Sequence, residues 1–104
     1  MENKKYKLRF LPLFANDLTE IVEYISFTLK NPTAAERLVD DVEQAINNRS
    51  FCAESFEPFY SSKERKHPYY KISVRNFTVF YVVIGNVMEV RRILYNRRDF
   101  NNLI

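Results

Sequence analysis

The sequence predicts an α+β fold. A small antiparallel sheet, built from an N-terminal strand and a C-terminal three-stranded meander, is packed by a two-helix hairpin, in the order β-α-α-β-β-β with a short terminal helix. Three observations carry this. Apolar residues recur at every second position over residues 6–11, at steps of three and four over residues 13–49, and at every second position again after residue 69. Pro12 and Pro32 stand where helices would begin, and Pro58 and Pro68 bracket an irregular stretch. Gly85, the one glycine of the chain, sits between two apolar runs as a hairpin turn would require.

With 104 residues the chain is long enough for one domain with one modest core, taken as residues 1–104. It is 46% hydrophobic and 15% aromatic, too apolar for a disordered chain. No apolar run reaches the roughly 18 residues of a membrane span. The first ten residues carry charges without a following apolar block, which argues against a signal peptide. A single Cys52 excludes an internal disulfide and fits a reducing compartment; with a single His67 it cannot build a structural zinc site. These features suit the cytoplasm and argue against a membrane partner. The net charge of +3 is unevenly divided. Residues 1–62 carry seven Lys/Arg and ten Asp/Glu, net −3; residues 63–104 carry nine and three, net +6. A segregated basic segment suits a polyanionic partner, with an ordinary solvated face as the alternative.

In chain order, Tyr6, Leu8 and Phe10 alternate with Lys7 and Arg9, a short strand that Pro12 ends. Phe14, Leu18, Ile21, Val22, Ile25 and Leu29 then line one helical face, with Asp17, Glu20 and Glu23 on the outer side. Asn31-Pro32-Thr33 breaks the pattern. Either Asn31 caps the next helix or Thr33 and Glu36 form a capping box one step later. Ala35, Leu38, Val42, Ala45 and Ile46 make a second apolar stripe, so two antiparallel helices lie side by side. Residues 50–68 read as an ordered loop whose aromatics pack on the core, with residues 63–67 as its exposed tip.

The segment 69–99 organises the rest. Tyr70, Ile72 and Val74 face one way, Lys71, Ser73 and Arg75 the other, and Asn76 turns the chain. The run Phe77 to Ile84 is apolar on both faces, as a strand covered on two sides would be. A third strand follows Gly85-Asn86. Arg91 and Arg92 are adjacent in it, so alternation sends them to opposite faces. One would join Lys71 and Arg75; the other would reach solvent or pair with a helix acid.

Taken together, Tyr70-Lys71-Ile72, the stretch VRNFTVFYVV with its aromatic and apolar Phe77–Val83 strand, and Arg92-Ile93-Leu94 followed by Arg97-Arg98-Asp99 resemble the RelE/ParE superfamily of bacterial type II toxin–antitoxin toxins, over nearly the whole chain. The resemblance implies a cognate antitoxin, repression of an operator through the antitoxin complex, no cofactor, and one of two activities. RelE-like members cleave mRNA on the ribosome without metal; ParE-like members poison DNA gyrase. The first activity is the leading expectation here. Gyrase poisoning, or an inactive homologue that binds protein or DNA, is the alternative.

Metal-free RNA cleavage needs a group that takes the 2′-hydroxyl proton, a group that protonates the leaving oxygen, and cations on the phosphorane. The resemblance matches Lys71 and Arg98 to cationic positions of the RelE pattern, and strand alternation adds Arg75. Ser73, Thr78 and Ile104 stand where that pattern has a lysine, an arginine and a tyrosine. His67, Tyr69 and Tyr95 are the substitutes for the proton carriers. Histidine is the one side-chain type whose ordinary value lies near neutrality, and His67 is the single histidine of the chain. Lys71, Arg75, Arg97 and Arg98 are also the expected contacts with a nucleic acid or another target. Asp99 reads as a cap for the terminal helix. Phe51, Phe56 and Phe59 are candidates for apolar surface that an antitoxin would cover.

Overall fold

A computed structural model describes residues 5–60, 66–98 and 100–104, with the side chains of residues 101 and 102 excepted. The observed elements are β1 (Lys7–Phe10), α1 (Pro12–Glu23), a π-helical turn (Tyr24–Thr28), α2 (Pro32–Arg49), β2 (Tyr70–Val74), β3 (Phe77–Ile84), β4 (Val87–Tyr95) and α3 (Phe100–Leu103). The order matches expectation. The sheet is mixed rather than purely antiparallel: its strand order is β1-β4-β3-β2, and β1 runs parallel to β4. Both hairpins are antiparallel. β1 has only two flanks to choose from once the hairpins form, and it takes the free side of β4, which runs in its own direction.

Proline opens both helices. Pro12 is the first residue of α1 and Pro32 of α2, where a missing N–H costs nothing. The Asn31 cap is the one realised, since its Oδ1 accepts the Ala34 N–H at 3.1 Å. The first helix widens into a π turn before it stops, with Leu29 N–H donating to the Tyr24 carbonyl at 3.0 Å. Lys30, at φ 54, then takes the left-handed position that glycine commonly fills at a helix end. Gly85, at φ 62, does the same in the β3–β4 hairpin.

The sheet is buried on both faces. Between helices and sheet lie Phe14, Leu38, Val42, Ile46, Ile72, Val79, Tyr81, Val90 and Ile93. The far face, turned away from α1 and α2, carries Tyr69, Phe80, Val82, Leu94 and Ile104, with Phe59 and Phe100 packed beside them. β3 therefore has the double cover that its unbroken apolar run demands. The far face is not an open cationic sheet: α3 and the Phe59–Tyr69 bridge cover its middle.

Residues 50–60 are held by one buried tyrosine. The Tyr81 hydroxyl donates to the Ala53 carbonyl at 2.7 Å and accepts from Arg49 at 3.0 Å, while its ring stacks on Tyr70 at 5.3 Å. Only part of the expected aromatic cover is realised. Phe59 is half-buried, but Phe51, Phe56 and Tyr60 are exposed, Phe56 with the Arg49 guanidinium 3.6 Å from its ring centre. Residues 61–65, most of the expected loop tip, lie outside the described residues.

Candidate target-contact surface

The charged side chains divide into those the fold consumes and those it leaves free. Glu89 is the clearest consumed group. It sits in β4 between apolar neighbours and is buried. Arg9 Nε donates to it at 2.7 Å from β1 and Arg91 Nε at 2.9 Å from two residues on. Burial pushes the Glu89 carboxyl up, but the hydrogen bonds from Arg91 and Arg9 outweigh it and hold the group below its ordinary value. A carboxylate depressed on folding stabilises the protein above the unfolded value and loses that contribution as pH falls through the folded one. Glu89→Gln is therefore expected to flatten the acid side of a stability–pH curve below the ordinary value of 4.5, measured by urea midpoints. An acid limb of unchanged slope would show that other carboxylates set it.

Arg91 and Arg92 do not point to opposite faces. The β3–β4 register shifts at Phe80/Tyr81: Phe80 pairs with Arg92 and Tyr81 with Val90, leaving Arg91 as an extra residue in a β-bulge. A bulge suspends alternation, so both guanidiniums reach the same side. They line one shallow cavity of about 220 Å³ with Leu11, Leu13, Tyr69, Leu103 and Ile104. Arg91 Nη1 donates to the Tyr69 hydroxyl at 3.3 Å. Arg92 grips Asp17 with Nε and Nη2 at 2.7 and 2.9 Å and donates from Nη1 to the Leu103 carbonyl at 3.0 Å.

Asp17 is thus not an outer-face acid of α1. β1 accompanies β4 only as far as Val90, where the Leu11 N–H closes the ladder at 3.0 Å. Beyond that point β4 has a bare flank, and Asp17 Oδ2 accepts the Ile93 N–H there at 3.2 Å. The pairing of one strand arginine with a helix acid follows expectation.

Arg75 also departs from expectation. β2 ends at Val74, so Arg75 is the first residue of the turn, at φ 55, and alternation no longer applies. Its Nε lies 2.6 Å from Asp41 of α2, on the helix side of the sheet. Tyr95 is opposite Phe77 in register and packs edge-on against it, ring centres 5.6 Å apart. Phe77 belongs to the helix-side core, so Tyr95 does not share a face with Lys71. Tyr69 does lie on the far face, but it is buried with its hydroxyl on Arg91. His67 is half-buried just before Tyr69.

What remains exposed on the far face forms a shelf. Lys71 projects from β2, its Nζ 4.8 Å from the centre of the Phe59 ring. Ser73 is opposite Thr78, whose Oγ1 donates to Asn96 Oδ1 at 2.6 Å. Asn96 is itself tied by its N–H to the Asn76 carbonyl at 2.9 Å. Arg97 and Arg98 follow, both exposed, with the Arg98 N–H on the Tyr95 carbonyl at 2.9 Å. Neither guanidinium pairs with a described acid. Asp99 lies outside the described residues. Sequence reasoning missed Asn96 and the Ser73–Thr78 pair. The signal was there in the β2–β3 hairpin, whose two-residue turn fixes that register.

A second uncovered feature is an apolar groove of about 550 Å³ between α1, α2 and β1, lined by Leu8, Phe10, Phe14, Leu18, Val42 and Ile46 among others.

A helical hairpin across a mixed four-stranded sheet, with a short C-terminal helix on the far face, defines the α+β architecture. The structure is similar to a chain of the chromosomal ParDE TA system from P. aeruginosa, with a TM-score of 0.70 and 19% sequence identity over 88% of this chain and 96% of that one. At that identity the likeness carries the fold. No curated protein sequence matches the chain. The model of the ParE toxin of the type II toxin–antitoxin system parDE matches residues 8–100, and the chain belongs to that family. Among the described residues no helix is long and apolar enough to cross a membrane.

Proposed function

We propose that this protein arrests growth by binding DNA gyrase and is kept silent by a cognate antitoxin. The observation that carries the choice of mechanism is the dispersal of the expected catalytic set. Lys71 is on the far face, Arg75 is spent on Asp41 behind the sheet, and Tyr95 packs against Phe77 on the helix side. A phosphoryl-transfer site needs its proton carriers within about 3 Å of the reacting groups. A binding toxin needs no such convergence. Membership of the ParE family supports the same reading. Lys71, Arg97 and Arg98 are then contact residues rather than catalysts. The uncovered apolar groove and the exposed Phe51 and Phe56 support an antitoxin that covers apolar surface in the complex, through which the operon's own operator would be bound.

Inducing the protein without an antitoxin, with protein and DNA synthesis pulse-labelled side by side, tests this. DNA synthesis is expected to fall first, with messages intact. An early fall in translation with cleaved messages would replace this reading with ribosome-dependent mRNA cleavage. Normal growth with soluble protein present would leave only a binding module.

A further inference from the structure

We propose that the shelf formed by Lys71, Ser73, Asn96, Arg97 and Arg98 is a contact surface for the phosphate backbone of duplex DNA. The first support is a contrast. Arg92 on its strand and Arg75 in the turn each pair with a carboxylate of their own, and Arg9 and Arg91 share Glu89. Arg97 and Arg98 meet no described acid, and among the described residues the Lys71 ammonium meets only an aromatic ring. Among the described residues these cations are left to an external anion; Lys71 lies on the far face, and Arg97 and Arg98 directly follow Asn96, whose side chain is bonded there.

The second support is what lies between them. Ser73 and Asn96 are exposed and uncharged. Because the Thr78 hydroxyl is spent on Asn96 Oδ1, the amide keeps its NH2 donors. Hydroxyl and amide donors flanked by cations are the groups that position phosphates.

The third support distinguishes duplex from single strand. Single-stranded RNA is bound largely by stacking bases on open aromatic rings. The ring beside Lys71, Phe59, is half-buried and already carries its ammonium, and the exposed Tyr95 packs on Phe77 on the helix side. The proposal rests on the gyrase reading only in supplying a reason for DNA to be near.

The test is fluorescence anisotropy of a labelled DNA duplex of about 20 base pairs, titrated with the full chain at several salt concentrations. Three phosphate contacts give a log–log salt slope of about −2.7. Lys71→Ala and Arg98→Ala are each expected to weaken binding roughly tenfold and to reduce the slope by about one. Asn96→Asp still accepts the Thr78 hydrogen bond but sets a negative charge on the shelf, and is expected to weaken binding at least as much. Lys7→Ala, in β1 opposite Val87 at the other corner of the sheet, is expected to leave it unchanged. Absence of binding at low salt, equal loss with Lys7→Ala, or tighter binding to single-stranded RNA of the same length would each overturn the proposal. Loss of DNA synthesis in cells alongside no duplex binding would remove the shelf and leave the gyrase reading standing.

Discussion

Asp17→Ala is expected to destabilise the protein by about 3 kcal/mol, the lower end of the range for breaking a buried ion pair by removing one partner. Three donors lose their acceptor at once: Nε and Nη2 of Arg92 and the backbone N–H of Ile93. Both side chains are largely shielded, at 12% and 17% exposure, so water replaces the carboxylate poorly. The Asp17–Arg92 bond also holds the Arg92 guanidinium well placed for Leu103, tying α1, β4 and α3 together. Hydrogen bonding to the Asp17 carboxylate raises the Arg92 pKa against the opposing effect of burial, in keeping with a pair that gains from contact. Urea denaturation of the single variants and of Asp17→Leu/Arg92→Met measures the pair. The double variant is expected to recover much of the loss, because no charge is then left buried alone. A double variant as unstable as the sum of the singles would mean the two residues act independently.

That pair also shows where the sequence was legible. The apolar period of α1 was readable, and a helix acid was one of two partners, with solvent, that the sequence offered an arginine of β4. The inward placement of Asp17 was not. It depends on β1 stopping at Val90 and exposing the Ile93 N–H, a tertiary event with no local signature. The parallel β1–β4 pairing was hidden for the same reason, since sequence order says little about which edge a distant strand joins. Arg91 and Arg92 misled because period-two reasoning assumes an unbroken ladder, and a single extra residue moves one side chain across. Arg75 misled at a strand end, where the chain had already turned. Lys71 and Ser73 were placed on the correct face because they lie inside a regular strand. The Gly85 turn was readable because its chemistry is local, whereas the cap stayed open between Asn31 and Thr33 until the structure placed Asn31 Oδ1 on the Ala34 N–H.

Phe80→Ala is expected to cost about 3–5 kcal/mol, as large-to-small changes of buried aromatics do. Phe80 is fully buried at the centre of the far-face cluster. Its ring meets Phe100 edge-on at 4.9 Å and Tyr69 at 6.2 Å. That cluster is small, and α3 cannot collapse inward to fill the space. A helix of four residues has no stability of its own. Its attachment rests on Phe100, Leu103 and Ile104 packing here. Deleting the ring should therefore release α3 as well as open a cavity. Thermal or urea melts give the total. Hydrogen exchange at the Ile104 amide, bonded to the Phe100 carbonyl at 3.0 Å, reports α3 separately. A loss below about 1 kcal/mol with slow exchange retained would mean that the helix is held by its arginine contact instead. Because Arg92 donates to Leu103, the Phe80 and Asp17 effects are expected to be non-additive.

The pairing of Lys7 with Val87 has a temporal side. A ribosome makes β1 before both helices and its partner β4 after β2 and β3. While β2 and β3 are emerging, the opening strand has no neighbour to bond with, and its apolar residues, Leu8 among them, have only the helices to lean on. The sheet closes only when β4 leaves the exit tunnel. Newly made chains therefore pass through an interval in which the helical hairpin exists and the complete toxin does not. Whatever restrains this protein in the cell has that interval as its head start.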